Sequence, residues 1–327
     1  MNCPGGLQRN PFRVLITPPA LSVADVYFPL SLMPAVFWDL ASATGGDIRV
    51  RAQDGYTPLP CHLVGFDSVA RVGSLFIKVG SATAFYVYFG NRQWVQPSAS
   101  STYGQYNAYE AANVLAMHLE DAGDSTVNQN NGTATGVTFA AAGKILKGAT
   151  IASSNLIDVP YSASFNLTAA FTVSAWMKAS TLITNGIMEK TVGGAPNKAF
   201  SMWGAPNTPV FKLRVQKATV NTDVTSTDTY NATTFTQVVG RYNGSEVSLW
   251  VNGVKQASPA TVTAPLDGGV GDLVLGQIGG GFFPMSGMLD EFYLHSRALS
   301  DAEILQRYNC QNNPAAFWTV GSAPEQV

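Results

Sequence analysis

The order of hydrophobic and polar positions predicts β-strands along most of the chain. Short runs of aromatic and β-branched residues, such as 84–89 (AFYVYF), are separated by Gly, Pro, Asn and Asp. In 171–178 (FTVSAWMK) the apolar residues fall on alternate positions, which is typical of a strand with one buried face. The pairs Asn243-Gly244 and Asn252-Gly253 each follow such a run and predict tight hairpin turns. We therefore expect an all-β protein.

One helix is predicted, close to the end of the chain. Ser300 and Glu303 have the spacing of a capping box, and Leu299 and Ile304 have the spacing of a hydrophobic staple around it. The helix is expected over 300–308, with a structural role.

Length and composition divide the chain into two domains. At 327 residues it is long enough for two hydrophobic cores. Residues 96–111 are rich in Ser, Tyr and Gly without an apolar period, which is typical of a linker. We expect a β-sandwich domain over 1–95, the linker over 96–111, a second sandwich over 112–310 and a tail over 311–327. The apolar pair Phe317-Trp318 in the tail is expected to pack back on the domain or to dock into a partner.

The charge balance argues against nucleic acid as a partner. Only 12% of the residues are charged and the formal net charge is −2, so the basic excess that neutralises phosphates is missing. The three cysteines, Cys3, Cys61 and Cys310, lack metal-type spacing and could form one bridge at most. We interpret them as small buried side chains.

The most apolar parts of the chain do not predict membrane insertion. Residues 1–15 lack the basic region, apolar core and cleavage site of a signal peptide, so export by the standard route is not expected. The stretch 26–40 is too short for a transmembrane helix and is interrupted by Pro29 and Pro34. We expect it in a globular core or an interface.

Four sequence blocks in the second domain occur in the order found in one known family. They are 117–119 followed by 124–132, 171–178, 249–253, and 287–292 followed by 297–304. In these blocks the domain resembles the laminin G-type, concanavalin A-like lectin/glucanase family. The resemblance implies a jelly roll of two stacked antiparallel sheets. It also implies that Asp290 stands at a position that contributes a metal ligand in some members.

The first domain is similar, over about residues 22–92, to an uncharacterised β-domain family that commonly precedes laminin G-like domains. The matching residues are 46–50, 59–60, 75–79 and 86–91. This resemblance implies no activity, but the tandem order supports both assignments.

Calcium is the metal that the second domain could hold. The loop 124–131 offers one carboxylate with hydroxyl and amide oxygens, the ligands that hard divalent cations prefer. The candidate ligands are Asp124, Asn128 and Asp290. Asn-rich turns also form without metal through hydrogen bonds between side chain and backbone, so both interpretations stay open. No other cofactor is predicted.

A sugar-binding site would use aromatic side chains near loops, and four residues are candidates for it: Trp203, Tyr230, Phe282 and Phe283. The alternative is that these aromatic residues cover the ends of the sandwich.

Catalysis is not expected, although concanavalin A-like folds include glycoside hydrolases. The E-x-D-x-x-E pattern that places two carboxylates on one strand is absent. Neighbours such as Asp290 and Glu291 should point to opposite faces, while carboxylates from different strands could still meet. His62, His118 and His295 accompany no catalytic motif and are interpreted as structural residues.

The leading functional hypothesis is a non-enzymatic component of a virion surface, from a bacteriophage, serving as head decoration, tail or fibre. It follows from low charge, Asn/Thr/Gly-rich strands, the lack of a signal peptide and the tandem of rigid β-domains. The expected partners are other virion proteins, further copies of the chain in a homo-oligomer, and a host-surface glycan. The alternatives are a carbohydrate-binding adhesin or receptor-binding module, and a glycoside hydrolase.

Overall fold

The computed structural model describes residues 11–152, 154–182, 184–193, 198–206 and 208–327. They form two compact units. The first holds the described residues up to Glu110 together with Asn309–Val327, and the second holds Ala111–Tyr308. Cys3 lies outside the described residues, and Cys61 and Cys310 are buried.

Strands dominate the described part of the chain, which confirms the all-β prediction. In order they are β1 (Phe12–Thr17), β2 (Asp25–Pro29), β3 (Arg49–Ala52), β4 (Pro58–Leu59), β5 (Cys61–Asp67), β6 (Val72–Lys78), β7 (Phe85–Phe89), β8 (Asn113–Met117), β9 (Thr133–Thr135), β10 (Thr138–Ala142), β11 (Lys147–Ile151), β12 (Leu156–Val159), β13 (Phe171–Ala179), β14 (Asn185–Thr191), β15 (Lys198–Gly204), β16 (Val210–Lys217), β17 (Val220–Thr229), β18 (Thr236–Tyr242), β19 (Glu246–Val251), β20 (Val254–Lys255), β21 (Ala260–Thr261), β22 (Leu273–Leu275), β23 (Gln277–Ile278), β24 (Phe283–Pro284), β25 (Gly287–His295), β26 (Thr319–Val320) and β27 (Glu325–Gln326).

Helices are short and few among the described residues. The α-helices are α1 (Ala35–Leu40), α2 (Asp301–Asn312) and α3 (Pro314–Phe317), and single 3-10 turns lie at Leu30–Leu32, Gln105–Asn107 and Ala163–Phe165. Within the described residues, no helix has the length and apolar character that crossing a membrane requires.

The first unit contains two antiparallel sheets. The larger has the order β26-β1-β7-β3-β4 with β27 also on β1, and the smaller has the order β2-β6-β5. Phe28 of the smaller sheet packs edge-on against Phe85 of the larger, and Phe37 of α1 packs against Phe89. Because the stretch 26–40 supplies Phe28 and Phe37, both fully buried, it belongs to the core of this unit.

The segment 311–327, predicted as a tail, completes the larger sheet of the first unit. Thr319 pairs with Thr17 of β1, and Glu325 pairs with Arg13. Trp318 is buried and its ring lies 5.5 Å from that of Phe28. Of the two outcomes expected for the Phe317-Trp318 pair, the structure shows packing within the chain. The predicted linker also groups with this unit up to Glu110.

The second unit is a sandwich of two antiparallel sheets with one continuous apolar core. The nine-stranded sheet has the order β10-β11-β25-β13-β18-β19-β20, with β8 and β21 paired at its side. The seven-stranded sheet has the order β17-β16-β15-β14-β22-β12-β9. The two predicted hairpins are present: Asn243-Gly244 lies between β18 and β19, and Asn252-Gly253 joins β19 to β20. Asn252 and Gly253 both have positive φ, which the turn requires.

The capping-box helix α2 covers the outer face of the nine-stranded sheet. The backbone N–H of Glu303 donates to Ser300 Oγ at 3.2 Å, and the Ser300 N–H donates to the Glu303 carboxylate at 2.7 Å. Ile304 packs with Trp250, and the Tyr308 ring stacks on Trp176 at 5.7 Å. The strand predicted over 171–178 is therefore buried on both faces. The helix also continues to Asn312, beyond its predicted end.

Candidate functional site

A row of polar side chains crosses the outer face of the seven-stranded sheet. Strand register places Glu189 opposite Ser201, Ser201 opposite Arg214, and Arg214 opposite Asp223. Directly opposite residues of antiparallel strands share a face, and the alternate residues, such as Leu213, belong to the core. The outer face of β14–β17 is thus polar, while its inner face is apolar.

Glu189, Ser201 and Arg214 of this row form part of the floor of a groove with a volume of about 730 Å³. Strands β14–β17 supply the floor, and the β23–β24 hairpin, whose turn contains Gly279 and Gly280, supplies a wall. All the lining residues belong to the second unit. A concave surface that combines apolar walls with a few polar groups is the usual form of a small-ligand site.

Three of the four predicted sugar-binding residues line this groove: Trp203, Phe282 and Phe283. Phe282 is 84% exposed and Phe283 is 47% exposed, so both rings are open to a ligand. Trp203 is mostly covered, because the Arg214 guanidinium lies 5.3 Å from its ring centroid.

The fourth predicted residue, Tyr230, lies in the core instead. It is 2% exposed, its ring packs 5.0 Å from that of Phe211, and its hydroxyl donates to the Ala205 carbonyl at 3.3 Å. The chain turns inward after β17, so Tyr230 offers no surface to a sugar ring.

The charged groups of the floor take part in two ion pairs, one of them with Asp223 on the neighbouring strand. Lys198 Nζ donates to Glu189 Oε1 at 2.5 Å, and the Gly279 N–H of the hairpin donates to Glu189 Oε2 at 2.6 Å. Arg214 donates to both oxygens of Asp223, from Nε at 2.6 Å and from Nη2 at 2.7 Å. The hydrogen bond to Asp223 raises the pKa of Arg214, with burial opposing it. Glu189 therefore connects the hairpin to the floor.

These charged residues were missed by the sequence analysis because each stands on a different strand. Only strand register brings Glu189, Arg214 and Asp223 into one row. A weak signal exists in 210–217 (VFKLRVQK), where polar residues alternate as on a strand with one solvent-facing side.

Glu189 and Asp223, the carboxylates of the polar row, do not stand on adjacent strands. The backbones of Glu189 and Asp223 lie three strand spacings apart, about 14 Å at the usual spacing of about 4.8 Å, and each carboxylate is bound by its own cation. Retaining and inverting glycosidases place their two carboxyl groups roughly 5–10 Å apart. This pair therefore does not have the geometry of a hydrolase.

The acids of the closing block, Asp290 and Glu291, are both buried, as are the residues around them on β25, and the strand contains a bulge at this point. Glu291 has φ +49°, and the register between β13 and β25 shifts at this point. The two neighbours were expected on opposite faces of a strand, and their exposed fractions are 0% and 1%. Neither carboxyl group is accessible to a substrate.

Glu291 forms a buried polar cluster with His118 and Tyr293. His118 Nδ1 lies 3.0 Å from Glu291 Oε1, and the Tyr293 hydroxyl donates to Glu291 Oε2. Burial raises the pKa of Glu291 to about 8 and lowers the pKa of His118 to about 4. At neutral pH a protonated Glu291 therefore donates to a neutral imidazole, and the cluster carries no charge. This arrangement fits the structural role predicted for His118.

Of the predicted calcium ligands, Asp124 and Asn128 share one hydrogen-bond network through Thr126, whereas Asp290 belongs to another. Asp124 Oδ1 accepts from the backbone N–H groups of Ala116 and Thr126, and Oδ2 accepts from the Thr126 hydroxyl and the Asn130 N–H, all at 2.8–3.0 Å. Asn128 donates to the Thr126 hydroxyl at 3.2 Å. Asp290 accepts from the Ile145 N–H at 2.8 Å. The Asp124 loop is thus closed by its own donors, and calcium binding stays a prediction.

Comparison with known proteins defines the class of the second unit. Residues 152–305 match the family model Laminin_G_3, the concanavalin A-like lectin/glucanases superfamily. Together with the two stacked sheets, this match identifies a concanavalin A-like domain and confirms the resemblance noted in the sequence over these residues. The similarity of the first domain to an uncharacterised β-domain family stays a prediction.

Solved structures with a similar fold include two that illustrate the likeness. Domain 4 of AbnA, a GH43 extracellular arabinanase from Geobacillus stearothermophilus solved in complex with arabinotriose, has 20% sequence identity and a TM-score of 0.53; the match covers 61% of this chain and 100% of that one. The binding domain of Paraclostridial Mosquitocidal Protein 1 has 17% identity and a TM-score of 0.51, with 62% of this chain and 53% of that one covered. The match thus spans about half of the second structure. A search of curated proteins finds no match to this chain.

Proposed function

We propose that the second unit is a non-catalytic carbohydrate-binding module whose ligand lies in the groove over β14–β17. The observation that carries this proposal is the position of two open aromatic rings, Phe282 and Phe283, on the wall above a polar floor. Aromatic faces pack against the apolar faces of pyranose rings, while polar side chains bind the hydroxyls. The wide spacing of Glu189 and Asp223 favours binding over hydrolysis.

A structure of the same fold also supports a sugar ligand. The arabinanase domain was solved in complex with arabinotriose. Its likeness to this chain concerns the fold, and the assignment of a sugar to this groove is our proposal.

Replacing Phe282 by Ala is expected to weaken glycan binding about fivefold to tenfold, the usual effect of losing one aromatic stacking contact. Glycans that bind the wild-type chain on an array would be identified first, and their affinities measured by calorimetry. Because Phe282 is 84% exposed, the substitution should leave the melting temperature nearly unchanged.

Tyr56→Ala is the matched control, since Tyr56 is also highly exposed, at 81%, and lies in the first unit. It should bind glycan like the wild-type chain. Failure of the wild-type chain to bind any glycan, or equal affinities for the Phe282 variant and the wild type, would refute the proposal.

The placement of this module on a virion surface is a second, separate proposal, supported by composition and by the tandem of two β-units. Mass spectrometry of purified virions is expected to detect the chain, with a copy number that distinguishes head decoration from a tail or fibre and that fits a homo-oligomer. Its absence from virions would leave the adhesin or receptor-binding alternative for the same groove.

A further inference from the structure

We infer that the groove binds an acidic glycan, one whose sugar carboxylate lies against Arg214 and Lys198. This inference rests on the proposed carbohydrate-binding function and specifies its ligand class. Its basis is the balance of hydrogen-bond donors and acceptors in the groove. The acidic side chains there already accept hydrogen bonds from the protein's own groups.

Glu189 is mostly covered and is engaged by the protein's own donors. Its two oxygens accept from Lys198 Nζ and from the Gly279 N–H, and the residue is only 4% exposed. Burial and these two donors leave Glu189 poorly exposed to a sugar hydroxyl. Asn221, another groove residue, also uses its amide oxygen, which accepts from Gln216 Nε2 at 3.1 Å.

The cations, in contrast, have donors to spare. A guanidinium has five N–H donors, and Arg214 uses two of them on Asp223. An ammonium has three, and Lys198 uses one on Glu189. Lys212 stands directly opposite Trp203 on the same face and adds a third cation beside the groove. These cations therefore keep free donors, and together with Lys212 they outnumber the two carboxylates, Glu189 and Asp223, by one charge.

This balance favours one class of sugar over another. Each hydroxyl of a neutral sugar both donates and accepts, so a site for neutral sugars needs acceptors as well as donors. A sugar carboxylate only accepts, and charge-assisted hydrogen bonds from Arg and Lys to carboxylates are about twice as strong as neutral ones. The donor-rich floor matches a uronic or sialic acid residue, while the Phe282 and Phe283 rings pack on the adjoining sugar.

A matched pair of ligands tests the inference on the wild-type chain. One ligand is an oligouronide, and the other is the same oligosaccharide with its carboxyl groups reduced to primary alcohols. The acidic form is expected to bind about tenfold more tightly, and its affinity should fall as NaCl is raised. Equal or tighter binding of the reduced form would overturn the inference while leaving the carbohydrate-binding proposal intact. Failure to bind either oligosaccharide, or any array glycan, would overturn both.

Two substitutions in one ion pair are expected to act in opposite directions. Arg214→Gln should weaken binding of the oligouronide about tenfold, because it removes the cation. Asp223→Asn should strengthen it severalfold, because it removes the carboxylate that competes for the Arg214 donors. Lys147→Gln, which changes an exposed lysine on β11 of the other sheet, is the control and should bind like the wild type. Weaker binding by the Asp223 variant would contradict the assignment, even if the Arg214 variant proved unstable.

Discussion

Replacing Lys190 by Ala is expected to lower the free energy of unfolding by about 4 kcal/mol, because it removes charge-assisted hydrogen bonds and opens a cavity. Lys190 is fully buried on β14, and its Nζ donates to the carbonyls of Thr191, Gly269 and Gly271 at 2.8, 3.2 and 2.6 Å. Burial lowers its pKa to about 8, so the ammonium is still charged at pH 7. The substitution leaves three carbonyl oxygens without this donor.

Urea unfolding followed by tryptophan fluorescence measures this loss. Lys190→Met, which keeps most of the apolar volume but no donor, should fall between the alanine variant and the wild type. Lys147→Ala, at an exposed position, should cost less than about 0.5 kcal/mol. A loss below about 1 kcal/mol for Lys190→Ala would show that the carbonyl cage contributes little to stability.

The stability of the wild-type chain is expected to fall between pH 6.5 and 8 by about 2 kcal/mol through Glu291 alone. The ordinary pKa of a glutamate is 4.5, and burial raises that of Glu291 to about 8. Between these values the unfolded chain has lost the proton that the folded chain keeps, so raising the pH favours unfolding. The folded state therefore gains most from Glu291 below pH 4.5.

The contribution of His118 to the pH dependence of stability has the opposite sign. Its pKa is lowered from 6.5 to about 4 by burial, so between these values the unfolded chain binds the extra proton and stability rises with pH. The two effects cancel from about pH 4.5 to 6.5, and the loss from Glu291 remains above that range. Burial also raises the pKa of Asp290, which adds to the loss in the same direction as Glu291.

Glu291→Gln separates these contributions, because an amide can donate to His118 as the protonated carboxyl group does. The unfolding free energy of this variant should fall less steeply between pH 6.5 and 8, by about 2 kcal/mol over the range. Glu325→Gln, at an exposed carboxylate of the first unit, is expected to keep the wild-type slope. Parallel pH profiles for the wild type and Glu291→Gln would show that Glu291 is ionised in the folded chain.

The local features of the fold could be predicted from the sequence, because neighbouring residues determine them. The turns at Asn243-Gly244 and Asn252-Gly253 and the capping box of Ser300 and Glu303 all depend on residues a few positions apart. The concanavalin A-like class could be predicted as well, since its sequence blocks occur in a fixed order.

The features that depend on distant pairing could not be predicted. Glu189, Arg214 and Asp223 share one row only because three strand pairs have a particular register. Phe282 and Phe283 were found as aromatic residues near a loop, a pattern that Tyr230 shares although it turns into the core. The sequence around an aromatic residue near a loop does not show whether its ring faces the groove or the core.

The pairing of Arg13 with Glu325 joins positions separated by 312 residues along the chain, and the whole second unit lies between them in sequence. During synthesis, residues 111–308 emerge from the ribosome before the strands that β1 needs at its edge. The concanavalin A-like domain is contiguous and can fold as soon as it emerges, whereas the first unit must hold an open strand edge until β26 and β27 arrive. The path of the chain thus lets the second unit complete its fold before the first unit does.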